Sequence, residues 1–189
     1  MTKRVTDSPE VAAFRLTAAR FVELVDRRGD YEVADFLRRL QPILAALVAH
    51  AMKLPLVERG GPTELAEFTI EQSTSLRKSL IAHLGKYDFY SEVYDPYVPE
   101  EPVVGSLADA LETVYSDLFP GVASWVGSSA GGRRTAVWDW QFKFEIIWGH
   151  HAIDAIRAIH SLLFTHDIGE PYAEWPPNGL REPGPTATS

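Results

Sequence analysis

The chain contains no cysteine, no run of basic residues and no long uninterrupted apolar run. Without cysteine it cannot form a disulfide framework, a thiolate metal site or a cysteine nucleophile. The longest apolar run, residues 40–52, is broken by polar residues and a proline and is shorter than the ~20 residues that span a bilayer. An acidic chain with no basic block is a poor candidate for duplex DNA or an anionic membrane. We therefore expect neither nucleic acid nor membrane as a partner.

What the sequence does contain is typical of one soluble globular domain. Its 189 residues are 46% hydrophobic, and 18 Lys and Arg against 26 Asp and Glu give a net charge of −8. A chain of this length buries roughly 70% of its unfolded surface. The first residues lack the apolar core of a secretory signal, so we expect a cytoplasmic protein. We predict one helical domain over residues 8–167 and a Pro/Gly-rich tail over residues 168–189.

Five segments carry the apolar spacing of helices, which predicts an all-α fold, an antiparallel bundle of about five helices with a long C-terminal one. The predicted starts are Ser8, Asp30, Thr63, Ser106 and Thr135. Pro42 should kink or split the second helix, and Pro120 should strain or break the fourth. Three prolines between residues 87 and 104 exclude a central strand there, so a hairpin is the one sheet element left open.

The net charge is concentrated in one segment. Between Lys86 and Arg133 there are eight acids and no Lys or Arg, which leaves 18 acids against 18 bases in the rest. Aromatic residues are interleaved with the first of these acids: Tyr87, Phe89, Tyr90, Tyr94 and Tyr97. The composition predicts either a surface for a cationic ligand or partner, or an acidic loop whose tyrosines pack onto the bundle.

The predicted last helix carries a carboxylate on its apolar face. At ~100° per residue, Gln141 and Glu145 fall on the same side as Trp138 and Trp148. A buried ionised carboxylate is costly unless it is paired or hydrogen-bonded. We therefore predict either a small-molecule pocket with Gln141 and Glu145 as its polar floor, or a buried polar network that fixes helix register.

The opposite side of this helix reads as solvent-facing. It predicts an i,i+4 ion pair between Asp139 and Lys143, and it puts His150 and Asp154 at a spacing that can chelate a metal. Two ligands on one helix are too few for a site, so we expect no metal and no cofactor. If a metal binds, its ligands would be Glu92, Asp95, His150 and Asp154.

We expect the acidic segment to lie over the last helix and close a cleft. The predicted ligand-binding residues are Tyr90, Glu92, Tyr94, Asp95, Trp138, Gln141, Glu145, Trp148 and His151. The favoured function is a non-catalytic bundle that binds a partner protein or a small cationic ligand there. The alternatives are a metal-assisted hydrolase with a Glu/His/Asp site, and a homodimer formed through the acidic loop or the second helix.

Three runs of sequence resemble a known family. They are YSEVYDPY at residues 90–97, EPVVGSL at residues 101–107 and WDWQFKFEIIWGHHAIDAIR at residues 138–157. They are similar to a bacterial family of helical proteins that is known only as a domain of unknown function, over about residues 12–166. The resemblance implies a bacterial, all-helical single domain, and it implies no activity, substrate or catalytic residue.

Overall fold

A computed structural model of the chain describes residues 5–60, 65–93, 97–99, 101–166 and 168. The elements are α1 (Pro9–Asp26), α2 (Val33–Ala51), α3 (Ile70–Leu84), β1 (Phe89–Glu92), β2 (Val103–Ser106), α4 (Leu107–Ser124), α5 (Ala130–Lys143), a π-helical turn (Phe144–Trp148) and α6 (Gly149–Phe164). Helix α5, the π turn and α6 follow one another directly and form the long C-terminal helix. The prediction of an all-α bundle with about five helical rods is confirmed.

Serine caps begin the first and fourth helices as predicted. The hydroxyl oxygen of Ser8 accepts the N–H of Val11 at 3.3 Å, and that of Ser106 accepts the N–H of Asp109 at 3.1 Å. Each cap satisfies one of the N–H groups that a helix start leaves without a partner. The sequence signal and the local structure agree at both places.

The other predicted starts are wrong. Helix α3 begins at Ile70, where Thr69 and Gln72 form a reciprocal capping box, and not at Thr63, which lies outside the described residues. Asp30 belongs to a short 3-10 turn, and α2 starts three residues later at Val33. Helix α5 is capped by Ser129 instead of starting at Thr135. In each case a local cap or turn competes with the apolar pattern, which marks a helix face better than a helix end.

Neither internal proline ends its helix. Helix α2 runs through Pro42 and α4 runs through Pro120. A proline removes one hydrogen bond and crowds the preceding turn, but buried residues on both sides keep each helix packed. Gly121 also lies against Trp140, because a Cβ there would come within 2.6 Å of the indole ring. Tertiary packing outweighs the local cost of proline in both helices.

The core lies between α1, α2, α4 and the C-terminal helix. Helix α6 packs against α2 and α4, α1 packs against the same two helices, and α3 and α5 pack on α4. Phe14 of α1 contacts both fully buried indoles, with ring centroids 5.1 Å from Trp140 and 6.0 Å from Trp148. The C-terminal helix is thus a central element of the bundle, as its largely apolar circumference predicts.

Strands β1 and β2 form an antiparallel hairpin with Phe89 opposite Ser106 and Glu92 opposite Val103. Pro99 and Pro102 lie between the strands, and Pro96 lies outside the described residues. Asp88, directly before β1, is buried and accepts hydrogen bonds from the Ser106 hydroxyl at 2.9 Å and the Ala108 N–H at 2.7 Å. The hairpin is therefore fastened to the start of α4.

Within the part of the chain that the structure describes, no helix has the length and apolar character needed to cross a membrane.

Candidate ligand-binding site

The π turn changes which residues of the C-terminal helix face the core. A π turn holds one residue more than an α turn, so the residues after it are rotated by about 100° relative to a uniform α-helix. Trp140 and Trp148 are both fully buried, and Glu145 is exposed. The prediction of a buried Glu145 is wrong because it assumes an uninterrupted α-helical phase.

The tryptophans do not form the predicted cleft either. Trp148 has no exposed surface, and its indole N–H donates to the carbonyl of Trp140 at 3.0 Å. Trp138 is half-buried and stacks on Phe142, with ring centroids 5.0 Å apart, while the Arg59 guanidinium lies 5.4 Å from its ring. Gln141 and His151 are half-buried as well. Instead of lining a common cleft, Trp148 lies in the core and Trp138 stacks on Phe142 near the surface.

Tyr90 and Glu92 contact α6 nearer its middle than predicted. Burial, and then the carboxylate of Glu92, raises the pKa of Asp154, while Arg157 opposes the shift. The same surroundings raise the pKa of Tyr90, with burial as the main cause. Arg157 also donates to the carbonyl of Ser91 at 3.3 Å. The hairpin therefore lies against the turn of α6 that carries Asp154 and Arg157. Tyr94 and Asp95, which the prediction includes, are outside the described residues.

The absence of a side chain at Gly105 leaves room for the side chains of Tyr90 and Glu92 on one face of the hairpin. A Cβ at this position would come within 2.6 Å of the Tyr90 ring and 2.5 Å of the Glu92 carboxylate. Both side chains therefore lie across β2 at Gly105, where a larger residue would clash with them. The hairpin geometry thus brings a phenol and two carboxyl groups together.

The proposed metal ligands are only partly assembled. Glu92 and, more weakly, His150 act electrostatically on the pKa of Asp154. The described residues contain no group of three or more His, Asp or Glu side chains that could hold a metal ion. Asp95, the remaining predicted ligand, lies outside them.

A second charged cluster lies between α4 and α5, on the side predicted to face solvent. The predicted pair of Asp139 and Lys143 forms at 3.1 Å, and Asp117 of α4 reaches the same ammonium at 3.2 Å. Asp117 is only 8% exposed. Burial raises its pKa, Lys143 opposes this, and Asp139 and Glu112 add to it. The side chains of Asp139 and Lys143 are thus partly buried, because Asp117 of α4 packs against them.

An open cavity of about 390 Å³ lies where α1 ends and α3 begins. It is lined by Asp26, Arg28, Phe68, Glu71, Gln72, Ser75, Leu76 and Tyr115. None of these residues is a predicted site residue. One signal was available: Tyr115 follows the buried Leu111 by one turn, and a buried phenol needs a hydrogen-bond partner. A single sequence does not show that this partner is Asp26.

Aromatic rings and charges converge at this cavity. The Tyr115 hydroxyl donates to Asp26 at 2.9 Å, and burial, followed by this bond, raises the Tyr115 pKa. The rings of Phe68 and Tyr115 have centroids 5.2 Å apart. Arg28 donates to the carbonyl of Val25 at 2.8 Å and through two nitrogens to the hydroxyl of Ser79. The cavity thus combines two carboxylates, one already engaged guanidinium and two aromatic rings that pack against each other.

The fold and the cavity define a helical-bundle protein. The chain belongs to the family described as a domain of unknown function, DUF5063, whose model matches residues 6–165. This confirms the resemblance inferred from the sequence.

A solved structure shares the fold. The crystal structure of protein BF1032 from Bacteroides fragilis, a Northeast Structural Genomics Consortium target, is similar to the chain with a TM-score of 0.77 and 20% sequence identity. The similarity covers 90% of this chain and 99% of that one. At this identity the likeness concerns the fold alone. No curated protein matches the chain.

Proposed function

We propose that the protein binds a small organic cation, without catalysis, in the cavity between α1, α3 and α4. The observation that carries the proposal is the pair of carboxylates, Asp26 and Glu71, on a cavity that also presents the rings of Phe68 and Tyr115. Carboxylates attract an ammonium group, and aromatic faces attract it further through their quadrupole. A volume of about 390 Å³ falls within the usual range of roughly 300–1,000 Å³ for small-molecule sites.

The position of Asp26 supports this proposal. Asp26 is the last residue of α1, where the helix dipole disfavours a negative charge by about 0.3–1 kcal/mol. Its carboxylate accepts one hydrogen bond from Tyr115 and keeps further acceptor capacity, since each carboxylate oxygen accepts two bonds. Asp26 is thus a carboxylate at an unfavourable helix position that can still accept hydrogen bonds from a cation.

Arg28 does not cancel the acidic character of the cavity. All three of its guanidinium nitrogens donate within the protein, to Val25 and Ser79. Its charge remains on the lining, and two carboxylates against one guanidinium leave the lining with one net negative charge. We expect selectivity for a positively charged ligand over a neutral one of the same shape.

The test uses 2-phenylethylammonium, with neutral 2-phenylethanol and anionic phenylacetate as isosteric controls, in calorimetric and NMR titrations. We expect the cation to bind and both controls to bind at least tenfold more weakly, a difference of about 1.4 kcal/mol. Asp26→Asn and Glu71→Gln should each weaken binding several-fold. Glu23→Gln, an exposed acid one turn earlier on α1, should not. Equal binding of all three compounds, or no binding of the cation at millimolar concentration, contradicts the proposal.

The acidic, tyrosine-rich segment stays a predicted surface for a partner protein. Tyr90 and Glu92 support this only in part, since they face Asp154 and Arg157 of the same chain. We do not propose the metal-assisted hydrolase, because no observation among the described residues favours it.

A further inference from the structure

The outer face of the C-terminal helix carries a stripe of exposed residues at coiled-coil spacing. The stripe consists of Ile146, His150, Ile153, Arg157, His160 and Phe164. Their separations alternate between four and three residues, which is the spacing of a seam between paired helices. The apolar members are well exposed, at 54%, 48% and 71% for Ile146, Ile153 and Phe164. The inner face of α6 packs on α2 and α4, so this stripe is its outer side.

We propose that this stripe joins two copies of the chain as an antiparallel homodimer. A twofold interface uses the same patch on both subunits, so the patch must be complementary to itself when reversed. The stripe meets this condition. Reversal about Ala155 pairs Ile146 with Phe164 and Ile153 with the apolar stem of Arg157.

Charge opposes a second copy less at this stripe than on most of the surface. Each chain carries a net charge of −8, which opposes self-association through most surfaces. The stripe itself contains no carboxylate, and Asp154, beside its centre, is 25% exposed and pairs with Arg157 of its own chain. Arg157 is the charged member. Its side chain is about half exposed beside Asp154 and donates to the Ser91 carbonyl, so the hairpin borders the stripe here.

The length of the stripe limits the area that a dimer can bury, and with it the expected affinity of the dimer. From Ile146 to Phe164 it extends about 27 Å at ~1.5 Å per residue. Two such stripes would bury on the order of 1,000 Å² in total, at the low end for specific interfaces. We therefore expect a reversible dimer with a dissociation constant in the micromolar range, not an obligate one.

Substitutions of opposite charge at Ile146 and Phe164 test both the interface and the antiparallel orientation of the two helices. Ile146→Lys and Phe164→Glu should each shift the chain to monomer in sedimentation-velocity runs, weakening association about tenfold or more. An equimolar mixture should restore the dimer, because the antiparallel arrangement puts Lys opposite Glu at one end and keeps Ile opposite Phe at the other. A parallel pair would bring like positions together and would not be restored. Val126→Glu, at an 87% exposed residue outside the stripe, is the matched control and should leave the dimer intact.

A second readout uses the absence of native cysteine. The double variant Ile146→Cys with Phe164→Cys should form an intermolecular disulfide under mild oxidation, and neither single variant should do so efficiently. A chain that stays monomeric at several hundred micromolar, or a mixture that does not recover, overturns the proposal. If the full chain is monomeric but a chain ending at Ile168 associates, residues 169–189 are the occupant of the stripe instead, which also overturns it.

Discussion

The hydroxyl of Tyr115 donates a hydrogen bond of 2.9 Å to the Asp26 carboxylate, joining the middle of α4 to the last residue of α1. The bond orients a carboxylate of the proposed cation site and fixes one wall of the cavity. It also explains why a phenol is found on the otherwise apolar face of α4, since burial without this partner would be unfavourable.

Tyr115→Phe should lower the free energy of unfolding by about 0.5–1.5 kcal/mol, the net value of one such hydrogen bond. The native pKa of Tyr115 lies above its ordinary value, so the folded state holds this proton more tightly than the unfolded state. Its contribution is present below pH ~10 and is lost as the pH rises beyond that. Urea denaturation of both proteins at pH 7 and pH 11 checks this. An equal difference at both pH values would contradict it.

Gly149→Ala should disrupt the π turn. An added Cβ would lie 2.2 Å from the carbonyl oxygen of Phe144, so the backbone has to shift. Such overpacking costs typically about 1–3 kcal/mol. Gly127→Ala is the control, because nothing lies within 4 Å of a Cβ there, and it should change stability little. Thermal unfolding of the two variants measures the difference, and equal melting temperatures would refute the prediction.

Asp88→Ala should destabilise the protein more than Asp109→Ala. Asp88 is buried and accepts from the Ser106 hydroxyl and the Ala108 N–H, and its loss leaves both donors without this acceptor, at about 1–3 kcal/mol. Asp109 forms an exposed ion pair with Arg77 at 3.0 Å, and such pairs contribute about 0–1 kcal/mol. Hydrogen exchange at the start of α4 should rise in the first variant only.

Lys143→Met should destabilise the protein more at pH 7 than at pH 4. Burial lowers the pKa of Lys143, but Asp117 and Asp139 together outweigh this and raise it. The contribution of the ammonium is therefore present below its ordinary pKa and is lost only as the pH rises through the raised one. Its removal leaves the carboxylates of Asp117 and Asp139 to repel each other at pH 7, and protonation of Asp117, whose pKa is raised, relieves this in acid. Lys78→Met is the control: Lys78 is exposed on α3, so its replacement should leave the free energy of unfolding unchanged at both pH values.

The sequence predicts the helical class, two caps and the placement of the long last helix because these depend on local patterns. Ser8 and Ser106 are read correctly since a cap acts within three residues of itself. Glu145 is misplaced because no residue type marks a π turn, and the turn accompanies the packing of both Trp140 and Trp148 on Phe14, which the sequence does not show.

The cavity could not be predicted for a related reason. Asp26 and Tyr115 are far apart in sequence, and Glu71 comes from a third helix. Their convergence depends on how α1, α3 and α4 pack, which apolar spacing alone does not specify. Tyr90 and Glu92, which the prediction places against the last helix, lie in β1 and meet Asp154 of α6.

The π turn makes the length of the C-terminal helix critical. Eight uniform α-helical steps from Trp140 to Trp148 rotate about 80° past two full turns, whereas with one surplus residue the same interval ends about 20° short of two turns. The two indoles share one face only because of that surplus. Deleting one of residues 144–147 would leave seven uniform α-helical steps, about 700°, and keep both indoles on the same face. Inserting one further residue there would instead turn one indole about 100° out of the core, so in this stretch an insertion is more damaging than a deletion.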